Sequence, residues 1–200
     1  MQGSLSITAA IGDHIYSQNF TDNGGGKEKH EISLPAGKAG NAAWGATQAV
    51  ITLGAGHGLT TADIVAVKWA TGRRIAMTIS AYDSTTITVT NSSGRGDALP
   101  VTSTAAVVVG LKIFCPDMVF AGASATFLLV TADQYASVDF YDFTPLSLFF
   151  VSTTVENGYG YYWSKASGVE CPLDGDVESA EGYNHTTTPA TLVVSVVLVT

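Results

Sequence analysis

Four histidines, two cysteines and a few clustered acids are the residues here that could do chemistry. His14, His30, His57 and His185 lie far apart, so Cys115 and Cys171 do not complete a structural zinc site with them. The two cysteines read as free thiols, with a single disulfide as the alternative. No G-x-S-x-G, H-E-x-x-H, Walker or dinucleotide-binding motif is present. His57 has no serine, cysteine or acid motif beside it of the kind a nucleophilic relay needs. The stretch DNGGGKEKHE (22–31) lacks the alternating oxygens of a calcium loop, and LDGDVE (173–178) places three acids around one glycine, a weak calcium pattern. GRGD (94–97) spells an integrin-type tripeptide, but inside a Ser/Gly-rich turn, and is read as a turn. The expectation is a protein that is not an enzyme and takes no metal or cofactor.

Two features remain as candidates for binding. Arg73 and Arg74 follow ATG at a hairpin tip, where a solvated turn or a contact to a neighbouring subunit is the plainer reading and phosphate binding the sharper one. The aromatic cluster NGYGYYW (157–163) carries Tyr159, Tyr161, Tyr162 and Trp163. It could stack on sugar rings. Strand alternation sends Tyr161 and Trp163 to one face and Tyr162 to the other, which a core strand or a subunit contact also requires.

These residues sit in a chain of 200 residues with 46% apolar and 13% charged residues and a net charge of −8. A soluble domain usually carries about 25% charged residues. Low charge with abundant Gly, Thr, Ser and Val suits an all-β protein. An acidic balance without a Lys/Arg cluster excludes sequence-specific nucleic-acid binding as the first expectation. The opening MQGSLSITAA has no basic and apolar regions of a signal peptide. No run approaches the roughly 18 apolar residues of a membrane helix.

The elements that must position any site are strands. TQAVITL (47–53), DIVAVKW (63–69), RIAMTIS (74–80) and TTITVT (85–90) show β-branched runs or period-2 alternation. Further runs follow: AAVVVGLKIF, ATFLLV, ASVDFYDF, LSLFFVSTTV, GYYWSKA and TLVVSVVLVT. Turn chemistry separates them: DNGGG, GAGHG, ATGRR, NSSGRGD, ENGYG and LDGD. The one plausible short helix lies around GGKEKHEIS. A composition shift near residue 40 divides the chain into a main domain, residues 1–39 and 110–200, and an inserted domain, residues 40–109. The fold expected is a β-sandwich, jelly-roll-like or tail-tube-like, with a small inserted β-barrel or β-sandwich domain.

The run GHGLTTADIVAVKW resembles a pattern of bacteriophage virion and tail-associated proteins, a GHGL-T-x-D turn followed by a strand reading hydrophobic-x-V-x-W. The matching residues are Gly56, His57, Gly58, Leu59, Thr60, Asp63, Val65, Val67 and Trp69; Ala62 stands where the commoner form has Gly. Physically, Gly56 and Gly58 let the backbone reverse, Leu59 plugs a small core, and Thr60, Thr61 and Asp63 cap backbone N–H groups. The resemblance implies a virion protein assembled in the host cytoplasm, with itself and other virion proteins as partners. It implies a tail-tube or tail subunit, or a capsid decoration protein. A carbohydrate- or receptor-binding module built on the 157–163 aromatics is the alternative.

The last run, TLVVSVVLVT, adds a physical reason for self-assembly. Leu192, Val194, Val196 and Leu198 share one face; Val193, Val197 and Val199 share the other. At 1.5–3 kcal/mol per buried side chain, the seven represent about 10 kcal/mol. One face can cover the sandwich core; the other needs the second sheet, the inserted domain or a neighbouring subunit. Low overall charge favours the neighbour, so the candidate assembly contacts are Val193, Val197 and Val199, with Tyr162, Arg73 and Arg74.

Overall fold

The computed structural model describes residues 4–11, 14–21, 26–90, 92–100, 103–121, 124–141, 148–155, 160–173 and 175–198; in 4–11, 14–21 and 148–155, and at Ser103, only the backbone is described. The protein is all-β, with 62% strand and 3% helix. In chain order the strands are β1 (Ser4–Ile11), β2 (His14–Thr21), β3 (Lys27–Leu34), β4 (Lys38–Trp44), β5 (Gln48–Thr52), β6 (Ile64–Trp69), β7 (Gly72–Tyr82) and β8 (Thr86–Thr90). They continue with β9 (Arg95–Gly96), β10 (Ser103–Cys115), β11 (Ala125–Ala132), β12 (Ala136–Tyr141), β13 (Leu148–Val155), β14 (Gly160–Ser164), β15 (Ser179–Asn184) and β16 (Ala190–Leu198). The chain forms two compact units: residues 1–33, 114–182 and 191–200 in one, residues 34–113 and 183–190 in the other.

The second unit is a closed six-stranded barrel. Its strands run β4-β5-β8-β7-β6-β10, and β10 closes the ring by pairing with both β6 and β4. Period-2 alternation decides which side chains line it. Ile51, Val65, Val67, Met77, Ile79, Ile87, Val89 and Val109 point inward and are buried. Trp44 and Trp69 meet edge to face inside, ring centres 5.5 Å apart.

The GHGL turn closes the barrel as its chemistry predicts. Gly56 and Gly58 take positive φ, 76° and 71°. The His57 Nδ1 accepts the Leu59 N–H at 3.0 Å, so Nε2 carries the proton and donates to the Asp83 carbonyl at 2.9 Å. Leu59 enters the core. Asp63 accepts the Thr60 N–H at 2.8 Å. Ala62 keeps a negative φ, so a residue other than glycine is unstrained there. The Asp83 carboxylate caps the facing turn. It accepts the N–H groups and hydroxyls of Thr85 and Thr86, and these bonds, the Thr85 N–H foremost, hold it down to about 2.

The first unit holds the four-stranded sheet β14-β11-β16-β3 and the strands β13-β12-β15, which are one end of the ten-stranded sheet that continues into β10; β1 and β2 form a hairpin. An aromatic chain bridges the two sheets: His30 on β3 stands 5.8 Å from Phe120, which stands 5.9 Å from Phe140 on β12. The helix suggested around GGKEKHEIS is strand β3 instead. Glu28, His30, Ile32 and Leu34 alternate inward while Lys27, Lys29, Glu31 and Ser33 face water. The polar Glu28 and His30, joined at 3.2 Å, hide the period of 2.

Cys115 and Cys171 form no disulfide and are both half-buried. Replacing both by alanine is expected to leave the fold intact. A loss above about 3 kcal/mol in denaturant unfolding, the worth of a native disulfide, would contradict this.

Candidate assembly face

The C-terminal strand is not an edge. β16 lies between β11 and β3, and its Leu198 N–H donates to the Gly26 carbonyl at 2.9 Å. Its first face is spent on the core: Leu192, Val194 and Val196 are buried, and Leu198 is half-buried. The first face thus covers the core, and only the second is left for a partner. Val193 and Val197 on the second face are half-buried.

Register places other candidates beside them. Across β14, β11 and β16, Tyr162 pairs with Leu129, which pairs with Ser195. The next rows are Ser164–Phe127–Val197 and Gly160–Thr131–Val193. Directly opposed residues share a face, so Tyr162, Val193 and Val197 lie on one side of one sheet. Phe127 and Leu129 fill its middle, at 1% and 8% exposure. Tyr162 leans edge-on over Phe127, ring centres 5.3 Å apart, and remains 36% exposed. None of the nine residues in these rows is charged. On β3 the outward Lys29 and Glu31 pair at 2.6 Å. Phe127 and Leu129 are already covered within the chain, so Tyr162, Val193 and Val197 are the residues of this face left partly open to a partner.

The remaining candidates lie elsewhere. Val199 and Tyr159 fall outside the described residues. Arg73 and Arg74 belong to the barrel unit. Arg74 braces a loop there: its guanidinium donates to the carbonyls of Ser93, Gly94 and Asp97. The GRGD stretch is part of that brace. Arg95–Gly96 pairs with β7, and Asp97 accepts the Arg73 N–H at 2.9 Å. Trp163 is 5% exposed and donates its indole N–H to Val169 at 3.1 Å, so it offers no open ring for a sugar to stack on. Burial, then the nearby Cys171, pushes the Tyr161 phenol up.

A cleft of about 410 Å³ in the first unit is lined by Lys29, His30, Glu31 and residues 114–118. Burial first and Asp117 second push its Cys115 thiol up. That keeps the sulfur protonated, the reverse of what a nucleophile needs. Among the described residues no group of three or more His, Cys, Asp or Glu could hold a metal ion. No known protein family, curated protein or solved structure matches the chain.

Proposed function

We propose that this chain is a non-enzymatic structural subunit that self-associates, of the kind that builds bacteriophage virions: a tail-tube or tail subunit, or a capsid decoration protein. The observation that supports the reading is the uncharged sheet face on which Tyr162, Val193 and Val197 stay partly exposed. The resemblance of residues 56–69 to virion and tail-associated proteins gives it the particular form. A charge of −8 suits a tube through which DNA slides without sticking.

Magnitude argues for repeated contacts rather than one tight pair. Full burial of an apolar side chain is worth roughly 1.5–3 kcal/mol. Completing three half-buried ones is worth roughly half that each, a few kcal/mol in all. Such a contact holds when many copies reinforce one another in a ring or shell. Negative-stain microscopy of the purified protein at high concentration is expected to show rings, tubes or trimers. Rings or tubes select the tail role and trimers the decoration role; a field of monomers counts against both.

A further inference from the structure

The end of β15 and the segment joining it to β16, residues 183–188, lie on the outer wall of the barrel beside β10. Outside the barrel, Gly110 pairs with Ala66, and Val108 pairs with Lys68, which pairs with Arg73. Tyr183 is fully buried and clusters with Ala66 and Ile75. The backbone of Asn184 lies against Gly110, where any side chain would strike its carbonyl oxygen. The Asn184 amide donates to the carbonyls of Pro35 and Thr188, and its Oδ1 accepts the Thr186 N–H at 2.9 Å. The Thr186 carbonyl accepts the Gly37 N–H at 2.8 Å. Between these anchors His185 is 1% exposed.

We propose that residues 183–188 form an acid-released latch on the barrel wall, closed while His185 is neutral and opened when it takes a proton. Lys68 on β6 and Arg73 on β7 already oppose each other directly as like charges. Their fields bear on His185. The Asp97 carboxylate on the neighbouring loop accepts the Arg73 backbone N–H. From β10 the backbone of Asn184 meets Gly110, which carries no side chain. A protonated His185 would thus be a third cation in a dry site.

The direction of the effect follows. Burial first, then Arg73 and Lys68, push His185 down to about 3 from an ordinary 6.5. The open segment therefore binds more protons than the closed one, and the latch weakens as pH falls below about 6.5. At pH 4.5, two units lower, opening is favoured about 100-fold more than at neutral pH.

Amide hydrogen exchange on the full chain at pH 7 and pH 4.5, corrected for intrinsic rates, tests this. The opening constants at Gly37 and Thr186 are expected to rise about 100-fold, while those of β11 and β16 stay level. In His185→Gln the rise is expected to vanish. Constants that do not change, that rise equally in β11 and β16, or that rise as much in His185→Gln would overturn the latch. Should His185→Gln fail to fold, NMR titration of the wild-type ring decides: a midpoint below about 4 supports the latch, and one near 6.5 overturns it.

Discussion

Gly110→Ala is expected to destabilise the protein by at least about 3 kcal/mol, the upper range for forcing volume into a packed site. An added Cβ at Gly110 would collide with the carbonyl oxygen of Asn184, and with the backbone C and N atoms behind it at 3.1 and 3.4 Å. Backbone atoms cannot rotate away as a flexible side chain can. Either β10 shifts, which strains its pairing with β6, or residues 183–188 leave the barrel wall. A domain has about 5–15 kcal/mol in hand, so the variant is expected to melt at least 6 °C lower, at about 2–4 °C per kcal/mol. Thermal unfolding measures this. A loss under about 1 kcal/mol would mean that the segment does not rest on Gly110.

Trp69→Ala is expected to cost about 3–5 kcal/mol, the usual range for emptying a large aromatic site. Trp69 is 6% exposed and Trp44 is 8% exposed, and they fill one barrel core together. Their edge-to-face contact should add a coupling of about 0.5–1.5 kcal/mol. A double-mutant cycle of Trp69→Ala and Trp44→Ala in denaturant unfolding reads that coupling directly. Strictly additive losses would mean that the two rings pack on other neighbours rather than on each other. Trp163, which lies in the other unit, supplies a fluorescence signal in both variants.

These two sites differ in how far sequence alone reveals them. The barrel interior is legible. In TTITVT, Ile87 and Val89 alternate with threonines and are buried inside; in RIAMTIS, Met77 and Ile79 are inside too, whereas Ile75, past the irregularity at Ala76, turns outward against Ala66 and Tyr183. The GHGL turn is equally readable, because its bonds join residues close in sequence apart from the long reach of His57 to Asp83. Closure of the barrel is not legible. It depends on Ser103–Val109 pairing with β4 and on Val108–Leu111 pairing with β6, across dozens of intervening residues. The docking of residues 183–188 is hidden as well. It rests on one asparagine amide and one missing Cβ, neither of which has a periodicity to detect.

The candidate face shows both sides of this. Alternation in TLVVSVVLVT predicts that Val193 and Val197 share a side, and the structure places them so. That Tyr162 joins them depends on β11 lying between β14 and β16, a long-range register with no local trace. Strand β3 misleads because polar Glu28 and His30 occupy inward positions, where pattern reading looks for apolar residues. The His30 ring lies beside Phe120 and bonds Glu28, which accounts for a histidine on that face.

Self-association through the sheet face is the claim on which the functional reading stands. The most direct measurement is sedimentation velocity of the wild type beside Val193→Lys and Val197→Lys, over rising concentration, with circular dichroism to check the fold. A lysine at either position places a charge on an uncharged face, and its desolvation in a contact costs several kcal/mol, more than the contact itself supplies. The account predicts a wild type that grows into larger species and two variants that stay folded and monomeric. A wild type that remains monomeric at high concentration, or lysine variants that unfold rather than dissociate, would contradict it.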